Sequence, residues 1–212
     1  VLLELTSASY RVGAFHLLVS SPKNSMPIPR VVYQTIMDSL DMVFTDSDLE
    51  TRNEISAYLK KFITRIKEST YAAKRDATSL TKKNYSKFED EIKEKLNNVE
   101  QAQLFLKLFL TFIENNLRPG ASYLQKEMGC RLLLALIRSG LDSRVDPLSL
   151  DKSRNVNFAF SIEIYNPTLV RLVIDNILDD YDDIRQYSME IITIAPFKLD
   201  QVVDMKLLES RA

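Results

Sequence analysis

The chain has 212 residues, 45% hydrophobic and 27% charged, with 4 Gly, 7 Pro, 1 Cys and no Trp. That balance supports a packed core and excludes a disordered, collagen-like or linker sequence. Lys plus Arg at 28 against Asp plus Glu at 29 leave a formal net charge of -1, so any attraction to nucleic acid or anionic lipid must come from a local patch.

The chain opens on the apolar run Val1, Leu2, Leu3 and Leu5 without an initiator Met, a basic n-region or a cleavage site. No signal peptide is read, and the expectation is one segment, residues 1–212, of a longer polypeptide. Helical periodicity then predicts helices at 1–5, 9–20, 31–44, 49–71, 98–117, 122–139, 167–181 and 183–194, with a last piece from 199 onward. In the fourth of these, Ile55, Leu59, Phe62, Ile63 and Ile66 recur at spacings of three and four, which gathers them on one face. The strongest apolar stretch, 104–113, is interrupted by Lys107 and falls far short of the roughly 20 residues of a membrane span. Only 157–165 alternates with period two, and a lone strand has no partner, so it is expected to be an extended connector.

Three helices begin with recognisable caps. Ser47 with Glu50, and Ser122 with Gln125, have the spacing of a capping box. At Asn166-Pro167 a cap is followed by Pro at the first helical position, and Gly140 sits where a left-handed C-cap is wanted. The helices fall into pairs, and three second-of-pair helices carry an arginine near their start: Arg11, Arg52 and Arg185. Arg11 and Arg52 are 41 residues apart, within the roughly 40 to 47 of HEAT or armadillo units. The expectation is therefore an all-α chain, an alpha-alpha superhelix of HEAT/armadillo-like helix pairs. Acids in the turns before Arg52 and Arg185 make bonds from these arginines to the preceding turn the expected structural role. The same acids, 179–183, lack the EF-hand pattern and read as helix capping rather than a metal loop.

A polar, basic insertion at about 74–97 separates the second pair from the third. Between residues 60 and 95 there are eleven Lys or Arg and six acids, so the local field is positive. Lys60, Lys61, Arg65, Lys67, Lys74, Arg75, Lys82 and Lys83 are the candidate nucleic-acid contacts, and Tyr71 and Tyr85 lie among them where a base could stack. A solvated, partly disordered loop, or a contact for an acidic protein, accounts for the same charges.

One cysteine closes no internal disulfide and, with one histidine, makes no conventional zinc site of about four N or S ligands. A reduced, cytoplasmic setting is expected. His16 and Cys130 both fall in apolar helical stripes, where a core role is expected. No phosphate loop, nucleophile elbow or dinucleotide fingerprint is present, so no catalytic residue, metal or cofactor is expected, and nothing in the sequence asks for an obligate homo-oligomer.

Several stretches together resemble a known family. They are Arg52-Asn53-Glu54 leading into residues 60–66, Arg118-Pro119-Gly120-Ala121-Ser122-Tyr123, Leu169-Val170-Arg171, and Asp179-Asp180-Tyr181-Asp182-Asp183-Ile184-Arg185. In order and spacing they are similar to the central region of the THADA (thyroid adenoma-associated protein) family of very long α-solenoids. The resemblance implies a non-catalytic scaffold or regulatory subunit. Its implied partner is an FtsJ-like tRNA 2'-O-ribose methyltransferase, and the implied task is support of methylation at the first nucleotide of the anticodon loop. The alternative is a HEAT-type protein-protein adaptor with no RNA contact. Binding to tRNA that weakens steeply with salt separates the two.

Overall fold

The computed structural model describes residues 8–84, 86–151 and 157–196. Among them are seven α-helices and no strand: α1 (Ala8–Val19), α2 (Arg30–Thr45), α3 (Leu49–Asn84), α4 (Glu89–Asn116), α5 (Tyr123–Arg138), α6 (Pro167–Asn176) and α7 (Asp182–Thr193). The helices expected at 1–5 and from 199 lie outside the described residues. Each odd helix packs on the next, α1 on α3, α3 on α5 and α5 on α7, while α2, α4 and α6 form a second set packed against them. This is the solenoid arrangement of helical hairpins, an all-α fold.

The stripe expected on α3 is the seam of the core: Ile55, Leu59, Phe62, Ile63 and Ile66 are all buried. Its aromatic centre joins three helices, with Phe105 of α4 at 5.0 Å from Tyr33 of α2 and 5.6 Å from Phe62 of α3, ring centre to ring centre. Ser122 and Gln125 form a reciprocal capping box, and Asn166 accepts the Leu169 amide at 2.9 Å with Pro167 behind it. Gly140 follows α5 with φ at 80°, a left-handed conformation that glycine adopts at no steric cost. The connector is extended as expected, with Ile162 and Ile164 turned into the core.

Four expectations are corrected. The basic stretch at 74–97 is not a loop between pairs but the distal part of a hairpin, because α3 runs 36 residues and α4 runs 28. Ala72 and Ala77 of α3 are buried in that part, as is Ile92 of α4. The helix expected to run to residue 181 stops at Asn176, and residues 177–181 form the turn into α7. The cap of α3 is Asp48, whose carboxylate accepts the Thr51 amide at 2.8 Å, rather than Ser47. His16 is exposed, its ring 5.3 Å from that of Tyr58, whereas Cys130 is buried.

A repeated ion-pair unit links the odd helices. Arg52 and Arg185 are each the fourth residue of their helix, Lys126 holds that place in α5, and Arg11 is fourth among the described residues of α1. Asp46 precedes α3 by three residues, and Asp179 stands likewise before α7. One carboxylate oxygen of each accepts the amide two residues on, that of Asp48 at 2.9 Å or Tyr181 at 3.1 Å. Each backbone carbonyl accepts from the arginine six residues on, Arg52 at 2.7 Å or Arg185 at 2.6 Å. The other carboxylate oxygen meets the cation of the preceding odd helix, Arg11 at 2.6 Å or Lys126 at 2.5 Å. Burial pulls the Asp179 carboxyl up, but the Lys126 hydrogen bond and the Tyr181 amide together hold it below its ordinary value.

Before α5 the equivalent place is Gly120, with φ at 91°, so Arg52 has no aspartate ahead of it. Its guanidinium lies 3.7 Å from Glu127 instead, both side chains buried, and Glu127 is shared with Arg131 at 2.6 Å.

Two substitutions test the packing. Leu59→Ala and Leu134→Ala remove buried side chains and should each lower unfolding stability by about 2 to 5 kcal/mol, measured by urea denaturation. A change within experimental error at both would mean that the stripe does not face the core.

Candidate nucleic-acid interface

The eight candidate cations do not act as one patch. Arg65 is buried and donates to the carbonyls of Leu18, Val19 and Ser20 at 3.4, 3.1 and 3.4 Å. It thereby satisfies the open C-terminal end of α1, the favoured place for a cation. Burial lowers its pKa, with Tyr33 opposing. Lys61 sits over the Tyr58 ring, 5.3 Å from its centre, and Lys83 lies on the far side of the helix from Lys60 by the 100° step.

The remaining five share one face. Lys60, Lys67, Lys74 and Lys82 follow one another at seven, seven and eight residues, close to two helical turns each. Thr64, Tyr71, Arg75 and Thr78 fill the turns between them. Two adjoining cavities open along this face. The first, about 350 Å³, lies between α3 and the helices α5 and α7, with Lys60, Lys67, Arg131 and Arg138 facing Asp151 and Glu190. The second, about 500 Å³, lies between α3 and residues 157–159, and Lys74, Arg75 and Lys82 line it with Tyr71 and Phe158, with no carboxylate among the described residues of its lining. Lys67 joins the two, its ammonium 5.7 Å from the centre of the Phe158 ring.

Two of these lysines are held in place by neutral partners. Lys67 donates to the Ser139 carbonyl at 2.7 Å, closing the end of α5, and Lys74 donates to the Ala159 carbonyl at 2.7 Å. A carbonyl fixes the ammonium without cancelling its charge, and an ammonium has three N–H donors, so donors remain for a further acceptor. Desolvation lowers the Lys67 pKa while Asp151 raises it. Arg75 has Asp76 beside it at 3.0 Å, a largely exposed pair of little energetic weight.

Asp142 builds the opposite wall. Fully buried, it accepts from Arg144 at 2.7 and 3.0 Å and from the Ile164 amide at 2.9 Å, which ties the loop after α5 to the connector that carries Phe158. Burial alone would raise its carboxyl, yet the Arg144 and Ile164 hydrogen bonds win and hold it below the ordinary range.

Burial pushes the Cys130 thiol up to about 12, where thiolate is negligible at neutral pH. Among the described residues no group of three His, Cys, Asp or Glu is placed to hold a metal. No helix among them is long and apolar enough to cross a membrane. Sequence reading overlooked Arg131 and Arg138, which lie seven residues apart on α5, a spacing that repeats the two-turn step of the lysines. Tyr85 lies outside the described residues.

Fold and groove together define a helical-repeat protein of the solenoid class with a basic channel along its longest helix. The model of the Trm732 family, described as TPR repeats, matches residues 1–186, and the chain belongs to that family. It is also 26% identical over 183 residues to the tRNA (32-2'-O)-methyltransferase regulator trm732 of Schizosaccharomyces pombe, a match that covers 86% of this chain and 12% of that protein. The chain thus spans about an eighth of the length of this relative. No solved structure matches it significantly.

The depressed carboxyl of Asp142 sets an acid limit. A folded pKa below the unfolded value of about 3.9 means that the charged form stabilises the fold at higher pH and that this contribution is lost as pH falls through the folded pKa. Asp142→Asn should cost about 1 to 3 kcal/mol at pH 7. The gap to the unaltered chain should narrow as pH falls below the unfolded value of about 3.9, and a gap independent of pH in denaturation curves would refute the ionic role.

Proposed function

We propose that the chain is a non-catalytic part of a regulator of a tRNA 2'-O-ribose methyltransferase. On this reading the enzyme is FtsJ-like, the modified position is the first nucleotide of the anticodon loop, and the complex works in the cytoplasm. The observation that carries it is the family match over residues 1–186, together with the name of the fission-yeast relative. The whole protein would then be a long solenoid of the THADA type, with residues 1–212 as one continuous segment. The structure supports a scaffold. Its buried polar side chains hold helices to one another, as in Arg65 on α1 and Glu127 on Arg52 and Arg131.

One observation favours the alternative, a protein-protein adaptor without RNA contact. Leu104 and Leu108 are exposed one turn apart on α4, an apolar strip of the kind that protein partners cover. In vitro methylation separates the readings. The full-length protein should give no methyl transfer by itself, should co-purify with the methyltransferase, and should raise 2'-O-methylation of a tRNA transcript when added to it. Turnover without the enzyme, or a full-length protein that neither binds nor stimulates it, would overturn the assignment.

A further inference from the structure

The geometry points to a single RNA-backbone track on α3, formed by Lys60, Lys67, Lys74, Arg75 and Lys82, with the Tyr71 ring at its midpoint. From Lys60 to Lys82 it runs about 33 Å along the helix axis at 1.5 Å per residue. The inference rests on the regulator reading for the identity of the polyanion as tRNA. It goes beyond that reading by assigning the contact to one face of one helix.

Three features carry it. The cations repeat at about two turns, so they present a straight row of positive charge rather than a diffuse cluster. Phosphates of a nucleic-acid strand form a succession of charges of the opposite sign, and cations set against it release counterions on binding. Two of the ammonium groups are anchored on neutral carbonyls of Ser139 and Ala159, so less side-chain freedom is lost when a phosphate arrives. Finally, the second cavity sets these charges beside aromatic rings, Tyr71 and Phe158, and has no carboxylate among the described residues of its lining. Exposed Tyr71 gives a nucleotide a face to stack on, and stacking of this kind tolerates any base. Recognition is therefore of backbone and shape rather than of base sequence.

The first cavity is less positive, since Asp151 and Glu190 face its four cations. The track consequently strengthens toward Lys82, away from α5 and α7. An acidic protein is the competing occupant, and the experiment distinguishes it.

The test compares two charge reversals in the full-length protein. The first is Lys60→Glu with Arg75→Glu and Lys82→Glu, which spares the Lys67 and Lys74 anchors. The second places the same change of charge elsewhere, with Lys23→Glu, Lys93→Glu and Lys107→Glu. At physiological salt charges further apart than about 8 Å are screened, so only the track variant should matter. Binding of an unmodified tRNA transcript is measured from 50 to 200 mM salt, and circular dichroism verifies that each variant is folded. The track variant should lose at least tenfold in affinity, and its slope of log K against log salt should fall by about 0.7 to 0.9 for each lost contact. The second variant should bind as the unaltered protein does.

Tyr71→Ala leaves every charge in place and should weaken binding while leaving the slope intact. Equal losses in both triple variants, or no loss in the track variant, would overturn the track. So would loss of the methyltransferase with tRNA binding unchanged, which would make the face a protein interface. Co-purification of the methyltransferase is scored in parallel with the unaltered protein. If the enzyme binds and is stimulated while the track variant behaves normally toward tRNA, the track fails and the regulator reading stands. If the unaltered protein neither binds nor stimulates the enzyme, the regulator reading fails first.

Discussion

The stack is held in register by charge that cannot be left alone. A guanidinium or carboxylate withdrawn from water is costly unless it is paired, and here the partners come from different repeats. Asp46 and Asp179 each bind their own turn, their own helix and the helix before. Moving one odd helix by a single turn, about 5.4 Å, would strand a cation on one side and an anion on the other. Apolar packing supplies more of the stability but would tolerate such a slip more easily, since one aliphatic contact resembles the next. The ion pairs contribute position more than energy.

With α3 fixed at its first turn, its two sides take different work. One side carries the Ile55, Leu59, Phe62 and Ile66 stripe and lies entirely in the core. The other faces the groove between α3, α5, α7 and the connector. The lysines that look outward are thus oriented by the leucines and isoleucines that look inward, because both sets belong to one rigid helix. Asp142 does the same for the other wall, where it accepts the Ile164 amide and Arg144 bridges it to Glu163, which holds the connector in place. A groove built in this way has both of its sides attached to the core.

Much of this was legible from residue spacing, and the failures have physical reasons. Cap residues, the α3 stripe and the arginines after acidic turns each rest on interactions within about seven residues, which sequence displays directly. The extension of α3 and α4 was not visible because the seam there is lined by alanines, Ala72 and Ala77, which bury little area and leave only a faint periodic signal. Arg65 and its neighbours looked alike because composition counts charge and says nothing of direction. Only the fold reveals that Arg65 ends α1 while Lys60 faces the groove. Lys126 escaped notice since lysine replaces arginine at that position, and the irregular step to Arg185 follows from helices and connectors of unequal length between fixed ladder points.

Those fixed points all lie at the starting ends of the odd helices, and this has an architectural consequence. Nothing in the ladder constrains where a helix stops, so α7 ends after 12 residues while α3 continues for 36. Growth or shrinkage at the distal end alters how far a hairpin projects, yet leaves the joints between neighbouring units untouched. Reach and alignment are separable properties in such a scaffold. Lineages can lengthen an arm to meet a differently shaped cargo without reworking the spine that carries it.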